Sequence, residues 1–120
     1  MKTFGDIKWL AGWLEGEGSF GLTMNGQRKG ASLLISAGTV DLDIAQRVAS
    51  ILDARGVLGP YTYGNNQPLY RIHVSGVKAA GWMMTLYSLL GTRRRAQVRT
   101  ALDNWRARPT RGRWLRAKAA

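Results

Sequence analysis

The stretch that decides the fold is Leu10-Ala11-Gly12-Trp13-Leu14-Glu15-Gly16-Glu17-Gly18, with Ser19-Phe20 behind it. Ile7, Leu10, Ala11 and Leu14 recur at i, i+3, i+4 and i+7, which is one face of a helix. Trp9 and Trp13 lie on a neighbouring face. Thr3-x-x-Asp6 is a capping box with Asp standing in for the usual Glu, and Gly16 and Gly18 end the helix. Ala11, Gly12 and Gly16 are small where a helix normally carries bulk, so another backbone can approach closely. Two carboxylates, Glu15 and Glu17, stand at the tip, where the helix dipole disfavours acids. In a chain of net charge +11, an acid held at a packed helix end is a candidate ligand for a metal ion working on nucleic acid.

Outward from that helix the pattern switches to period two. Phe20, Leu22 and Met24 alternate with Ser19, Gly21, Thr23 and Asn25, a half-buried strand. Asn25-Gly26 and Arg28-Lys29-Gly30 make a turn. Ala31, Leu33, Ile35 and Ala37 then alternate with Ser32, Leu34, Ser36 and Gly38, a second strand. Thr39 or Asp41 caps a second helix, with Ile44, Val48, Ile51 and Leu52 on one face and a stop at Gly56. The plan repeats: a strand over 57–63 with Pro60 at an edge or bend, a turn at Gly64-Asn65-Asn66, and a strand in which Tyr70, Ile72 and Val74 alternate with Arg71, His73 and Ser75. Ser75 caps a third helix holding Val77, Ala80, Gly81, Met84 and Leu89, which Gly91 breaks. Val98, Ala101, Leu102 and Trp105 give a further helical face before Pro109. The order is αββαββα with a C-terminal helix, an α+β fold on two antiparallel hairpins.

Length and composition narrow the functions. At 120 residues the chain is one domain with a real core, which we place at residues 1–108, with a basic tail over 109–120. There are 18 Lys and Arg against 7 Asp and Glu, an excess that favours an anionic partner. The excess is uneven: residues 1–92 are net +2 and residues 93–120 net +9. With no cysteine, disulfides, zinc fingers and thiol catalysis are excluded; with His73 alone, a His-rich metal site is too. No signal peptide, membrane span or small-molecule cofactor is expected, and a cytoplasmic setting fits. The C-terminal stretch from Arg106 and Arg108 into the tail, with Arg111, Arg113, Arg116 and Lys118 around Trp114, is suited to phosphates or simply to solubility.

The motif LAGWLEGEG resembles the signature of the LAGLIDADG homing endonucleases. Six of its nine positions match in identity or acid type, Gly16 is small where the signature is small, and Trp13 and Leu14 sit where that family takes apolar residues. The αββαββα order, read from periodicity and turns alone, is that family's order. YRIHVSG at 70–76 and LLGTRRRAQV at 89–98 resemble its second half, so the likeness runs over roughly residues 4–105.

The resemblance implies a sequence-specific double-strand DNA endonuclease dependent on Mg2+, with Mn2+ as the alternative ion. Glu17 would be the catalytic residue that binds the metal, helped by the Gly16 carbonyl. Its alternative role is a solvated acid. A single motif implies a homodimer on a near-palindromic site, with Leu10, Ala11, Gly12, Leu14 and Glu15 at the interface. Glu15 would bond backbone near the start of the partner helix. Arg93 falls where the family has a basic residue, often lysine, near the scissile phosphate, with Arg94 as an alternative. Arginine can stabilise charge there but cannot act as a base. Asp41 would order the solvent network, or simply cap the second helix. The saddle of strands would present Ser19, Thr23, Asn25, Ser32, Ser36, Tyr61, Tyr63, Arg71 and His73 to DNA. Arg28 and Lys29 would contact it from the hairpin tip, and Arg94 and Arg95 through phosphates. Two other readings remain: a non-cleaving relative that binds DNA or intron RNA as a regulator or maturase, and a basic structural RNA-binding protein.

Overall fold

A computed structural model describes residues 2–23 and 32–107. Thr3 closes the expected capping box. Its Oγ1 accepts from the Asp6 N–H, and the Asp6 carboxylate accepts from the Thr3 N–H, each at 3.0 Å. From that cap α1 runs over Phe4–Glu17 and buries Leu10, Ala11 and Leu14. Trp9 and Trp13 stack on its flank with centroids 6.4 Å apart, and the Arg47 guanidinium lies 3.8 Å over the Trp9 ring.

The chain then alternates β1 (Gly18–Leu22), β2 (Leu33–Thr39), α2 (Leu42–Leu52), β3 (Leu58–Tyr61), β4 (Leu69–Ser75), α3 (Gly76–Leu86), a single 3-10 turn over Tyr87–Leu89, and α4 (Thr92–Ala107). The strands form one antiparallel sheet in the order β1-β2-β4-β3. Register pairs Phe20 with Ile35 and Ile35 with Val74 across the sheet's inner face. Against that face the helices bury Leu10 and Leu14, Ala45, Val48 and Leu52, Ala79, Ala80, Met83 and Leu86, and Val98 and Ala101. Among the described residues no helix covers the other face. This is the α+β, αββαββα architecture with a C-terminal helix. No helix among the described residues is long and apolar enough to cross a membrane.

Four local expectations are corrected. Helix α2 stops at Leu52 rather than Gly56, because Asp53 turns left-handed (φ 56°) and its N–H caps the Ala49 and Ser50 carbonyls. The Lys78 Nζ reaches the Asp53 carbonyl at 2.6 Å and the Trp82 Nε1 reaches the Leu52 carbonyl at 3.0 Å, so α3 finishes off the end of α2. Helix α3 buries Ala79, Ala80, Met83 and Leu86, leaving Val77 and Met84 exposed. Helix α4 begins at Thr92, ahead of its first apolar residue, because Arg94 occupies the preceding position of the buried face. Strand β3 is shorter than 57–63 and, as Pro60 requires, lies at a sheet edge. The hairpin tip carrying Arg28 and Lys29, and the tail over 109–120, lie outside the described residues.

Leu14, fully buried at the end of α1, is expected to cost about 2–5 kcal/mol of stability on replacement by alanine, read from urea unfolding. The capping hydrogen bonds from Thr3, above all its backbone N–H, hold the Asp6 carboxyl below the ordinary aspartate value. A carboxyl depressed on folding stabilises above its unfolded pKa and loses that contribution as pH falls through the folded one. Unfolding midpoints of Asp6→Asn are therefore expected to fall less on acidification than those of the native chain; an equal fall would refute the cap's role.

Candidate functional site

Helix α1 passes into β1 without a loop, and only glycine allows it. A Cβ at Gly18 would lie 2.8 Å from both the Leu14 carbonyl oxygen and its Cδ2. The Gly18 N–H caps the helix on that same carbonyl. Glu17 is thereby left at the helix tip, exposed, immediately before Gly18 enters the sheet. Among the described residues its carboxylate makes no hydrogen bond or ion pair.

Glu15 faces the other way. Its Oε1 accepts the Gly91 N–H just ahead of α4. The Glu15 carbonyl accepts from Arg94 Nε at 2.9 Å, and Arg94 Nη1 donates to Gln97 Oε1 at 3.0 Å. Arg94 is the one buried charged side chain among the described residues, at 8% exposure. A buried guanidinium needs such acceptors, since an unpaired one is costly. The expectations are corrected accordingly. Arg94 is a joint between α1 and α4, not a DNA contact. Glu15 binds backbone ahead of α4 in its own chain. Leu10, Ala11 and Leu14 lie in this chain's core and cannot present their side chains to a second copy. The outward face of α1 is formed instead by Gly5, Lys8, Gly12 and Gly16. A Cβ added at Gly12 or Gly16 meets nothing within 4 Å.

The joint brings Arg93 to the same corner. Arg93 is exposed and lines a groove between β1 and α4 with Phe20, Gly21, Leu22, Gln97, Thr100 and Asn104. Of Arg93 and Arg94, only Arg93 has a guanidinium outside the core. Arg95 is exposed but tethered, donating from Nε to the Leu90 carbonyl at 2.7 Å. Asp41 stands at the N-cap of α2, yet its carboxylate makes no capping bond; its backbone N–H donates to Thr39 Oγ1 at 3.1 Å. Because Gly18 pairs with Ala37, the end of β2 and Asp41 lie at the same end of the sheet as Glu17. The donors at the α1 tip are an unpaired carboxylate and helix-terminal carbonyls, all oxygen, which suits a hard divalent cation. Among the described residues no group of three or more His, Asp or Glu assembles a complete cage.

The uncovered sheet face collects the polar strand residues in register. Ser19 pairs with Ser36 and Ser36 with His73, and Gly38 pairs with Arg71. Thr23 and Ser32 close the β1–β2 ladder, with Ser32 N–H on Thr23 Oγ1 at 3.1 Å and Thr23 N–H on the Ser32 carbonyl at 2.7 Å. Tyr61 pairs with Leu69 on this face, whereas Tyr63 falls in the turn after β3, where its carbonyl accepts from Asn66. Asn25, Arg28 and Lys29 lie outside the described residues. Sequence reasoning missed Leu34, Leu58 and Ser75, which share the face, and Arg55 and Lys78, which line a cleft together with His73. The alternation already placed Leu34 opposite the core, but an apolar side chain gives no signal of a polar ligand.

Solved structures resemble this one. The homing endonuclease I-CvuI, in complex with its target in the presence of calcium, aligns with a TM-score of 0.63 and 19% identity over 84% of this chain and 68% of that one. The archaeal intron-encoded homing endonuclease I-Vdi141I, complexed with DNA, gives 0.58 and 15% over 76% of this chain and 61% of that one. The LAGLIDADG homing endonuclease I-GzeII, in complex with a DNA target, gives 0.59 and 13% over 82% of this chain and 35% of that one. At such identities the likeness is one of fold. No protein-family model matches the chain, and no curated protein matches it significantly.

Two adjacent arginines are expected to behave oppositely in denaturant. Arg94→Ala removes the joint and leaves a cavity, costing about 2–4 kcal/mol, whereas Arg93→Ala changes stability by less than about 0.5 kcal/mol. Equal effects would show that the α1–α4 joint is not formed by Arg94.

Proposed function

We propose that this chain, which has the LAGLIDADG homing endonuclease fold, is a sequence-specific double-strand DNA endonuclease that acts as a homodimer on a near-palindromic site. The observation that carries the reading is Glu17: an exposed carboxylate without a protein partner among the described residues, at the tip of a helix beside the uncovered sheet face. In a chain of net charge +11, an acid that pairs with none of the described cations is open to a cation from outside.

Glu17 and the Gly16 carbonyl would hold Mg2+, with Mn2+ as the alternative. When bound, the ion supplies an activated water and positive charge at the scissile phosphate. The chain's own groups do the rest. Arg93, permanently protonated, offsets charge on the phosphate and takes no proton. Asp41 accepts hydrogen bonds from water at the same sheet end. The sheet face enters the major groove, where Arg71 suits guanine and the hydroxyls of Ser19, Thr23, Ser32 and Ser36 read other base edges. His73, Tyr61, Tyr63, Arg95 and the hairpin residues Asn25, Arg28 and Lys29 extend that contact, and the basic residues of 109–120 add phosphate neutralisation.

One acid per chain makes half a site, and two-fold pairing through the bare side of α1 would make a whole one. The space above Gly12 and Gly16 is what supports this pairing.

The test is cleavage of a randomised duplex library with Mg2+ or EDTA, by native chain and Glu17→Gln. Cutting at a near-palindromic site is expected only with Mg2+ and only from the native chain, while Glu17→Gln still binds. Retained cutting by the variant sinks the metal assignment, and selective binding without cutting by the native chain means a non-cleaving regulator. Gly12→Leu, which meets no atom of its own chain at the Cβ, is expected to halve the mass seen by light scattering. An unchanged dimer mass would reject the α1 interface.

A further inference from the structure

The uncovered sheet face contains apolar side chains that a purely polar readout leaves unused. Leu34 is one of them. The burial pattern of β2 puts Leu33, Ile35 and Ala37 against the helices and Leu34 on the outer face. Its cross-strand neighbours there are Gly21 on β1 and Ser75 on β4, and its neighbours along β2 are Ser32 and Ser36. None offers an apolar partner. A Cβ built at Gly21 meets nothing within 4 Å, so no described residue fills the space beside Leu34, which is half-buried. Cross-strand contacts are what reward a side chain on a sheet face, and Leu34 has none to gain from glycine and serine. Further out, Leu58 (43% exposed) sits across from Arg71 and Tyr61 (39% exposed) across from Leu69.

The occupant of this face has to satisfy both kinds of side chain. Arg71, His73 and the serines call for charge and hydrogen bonding, and the chain's net charge of +11 calls for a polyanion. Leu34 calls for an apolar group at one fixed point among them. The major groove of DNA presents one such group, the C5-methyl of thymine, among its donors and acceptors. Leu34 also stands on an inner strand, hydrogen-bonded to β1 on one side and β4 on the other, so its position is rigid. Resting on the DNA reading above, we propose that Leu34 is a specificity residue that packs on a thymine methyl in each half-site.

Sites are first selected from random duplexes by the full chain and by Leu34→Ala. Each thymine of the half-site is then replaced singly by deoxyuridine, which lacks only the methyl group. At one position the replacement is expected to weaken binding by the native chain about fourfold, the equivalent of ~0.8 kcal/mol for one buried methyl. Leu34→Ala should select less strongly for thymine there and bind the two forms equally. The deoxyuridine arm with the native chain needs no mutation, so it stands even if the variant folds poorly. Indifference of the native chain to every replacement overturns the proposal alone, as does an equal response from both proteins. Failure of the native chain to select any duplex overturns the DNA reading and this inference with it.

Discussion

The arrangement depends on how a guanidinium is kept inside the protein. Arg94 occupies a position on α4 that a leucine would normally fill, and burial of its charge is tolerable only with oxygen acceptors in place. The Glu15 carbonyl at the end of α1 and the Gln97 side chain supply them, and Glu15 turns its own carboxylate onto the Gly91 N–H. These bonds fit one register of α4 against α1. That register places Arg93 outside the core, one residue from the joint, and leaves Glu17 beyond it at the helix tip. The two groups assigned to chemistry are thus oriented by neighbours that take no part in it.

Each major surface of the molecule has one face for the core and one left bare. The inner sheet face and the Leu10, Ala11 and Leu14 side of α1 build the core. The outer sheet face and the Gly12 and Gly16 side of α1 are covered by nothing among the described residues. A domain of this size could have closed over its sheet with a further layer. It instead leaves a four-stranded face open, with hydroxyl, imidazole, guanidinium and isobutyl groups at fixed intervals. Strands rather than loops therefore hold the contacts proposed for Ser19, Leu34, Ser36, Arg71 and His73.

Much of this was legible in the residues. Period-two alternation predicted which strand residues face outward, because one face of the sheet is buried and a slip of one residue would expose the core. The capping box at Thr3 and the break at Gly18 marked both ends of α1. What was not legible had a common cause: tertiary contacts overrode local pattern. An apolar helix face can serve only one surface, and nothing local says that Leu10 and Leu14 turn inward while the glycines turn out. Val77 and Met84 matched a helical spacing, yet α3 packs on the sheet through Ala79 and Met83 instead. Arg94 broke the apolar period of α4, hiding its first turn. Asp53 took a left-handed conformation usually left to glycine and ended α2 before the glycine did.

The same internal use of cations separates formal charge from charge free to move. Lys78, Arg94, Arg95 and Arg99 donate to carbonyl or hydroxyl oxygens of their own chain, and Arg47 lies over an indole. A tethered guanidinium still contributes to the long-range field that draws a polyanion in. To condense onto a phosphate it must first give up its oxygen partner. Attraction at a distance and counterion release on contact therefore draw on different subsets of the same 18 basic side chains. Encounter rates would follow the full count, and the salt dependence of the bound state a smaller one.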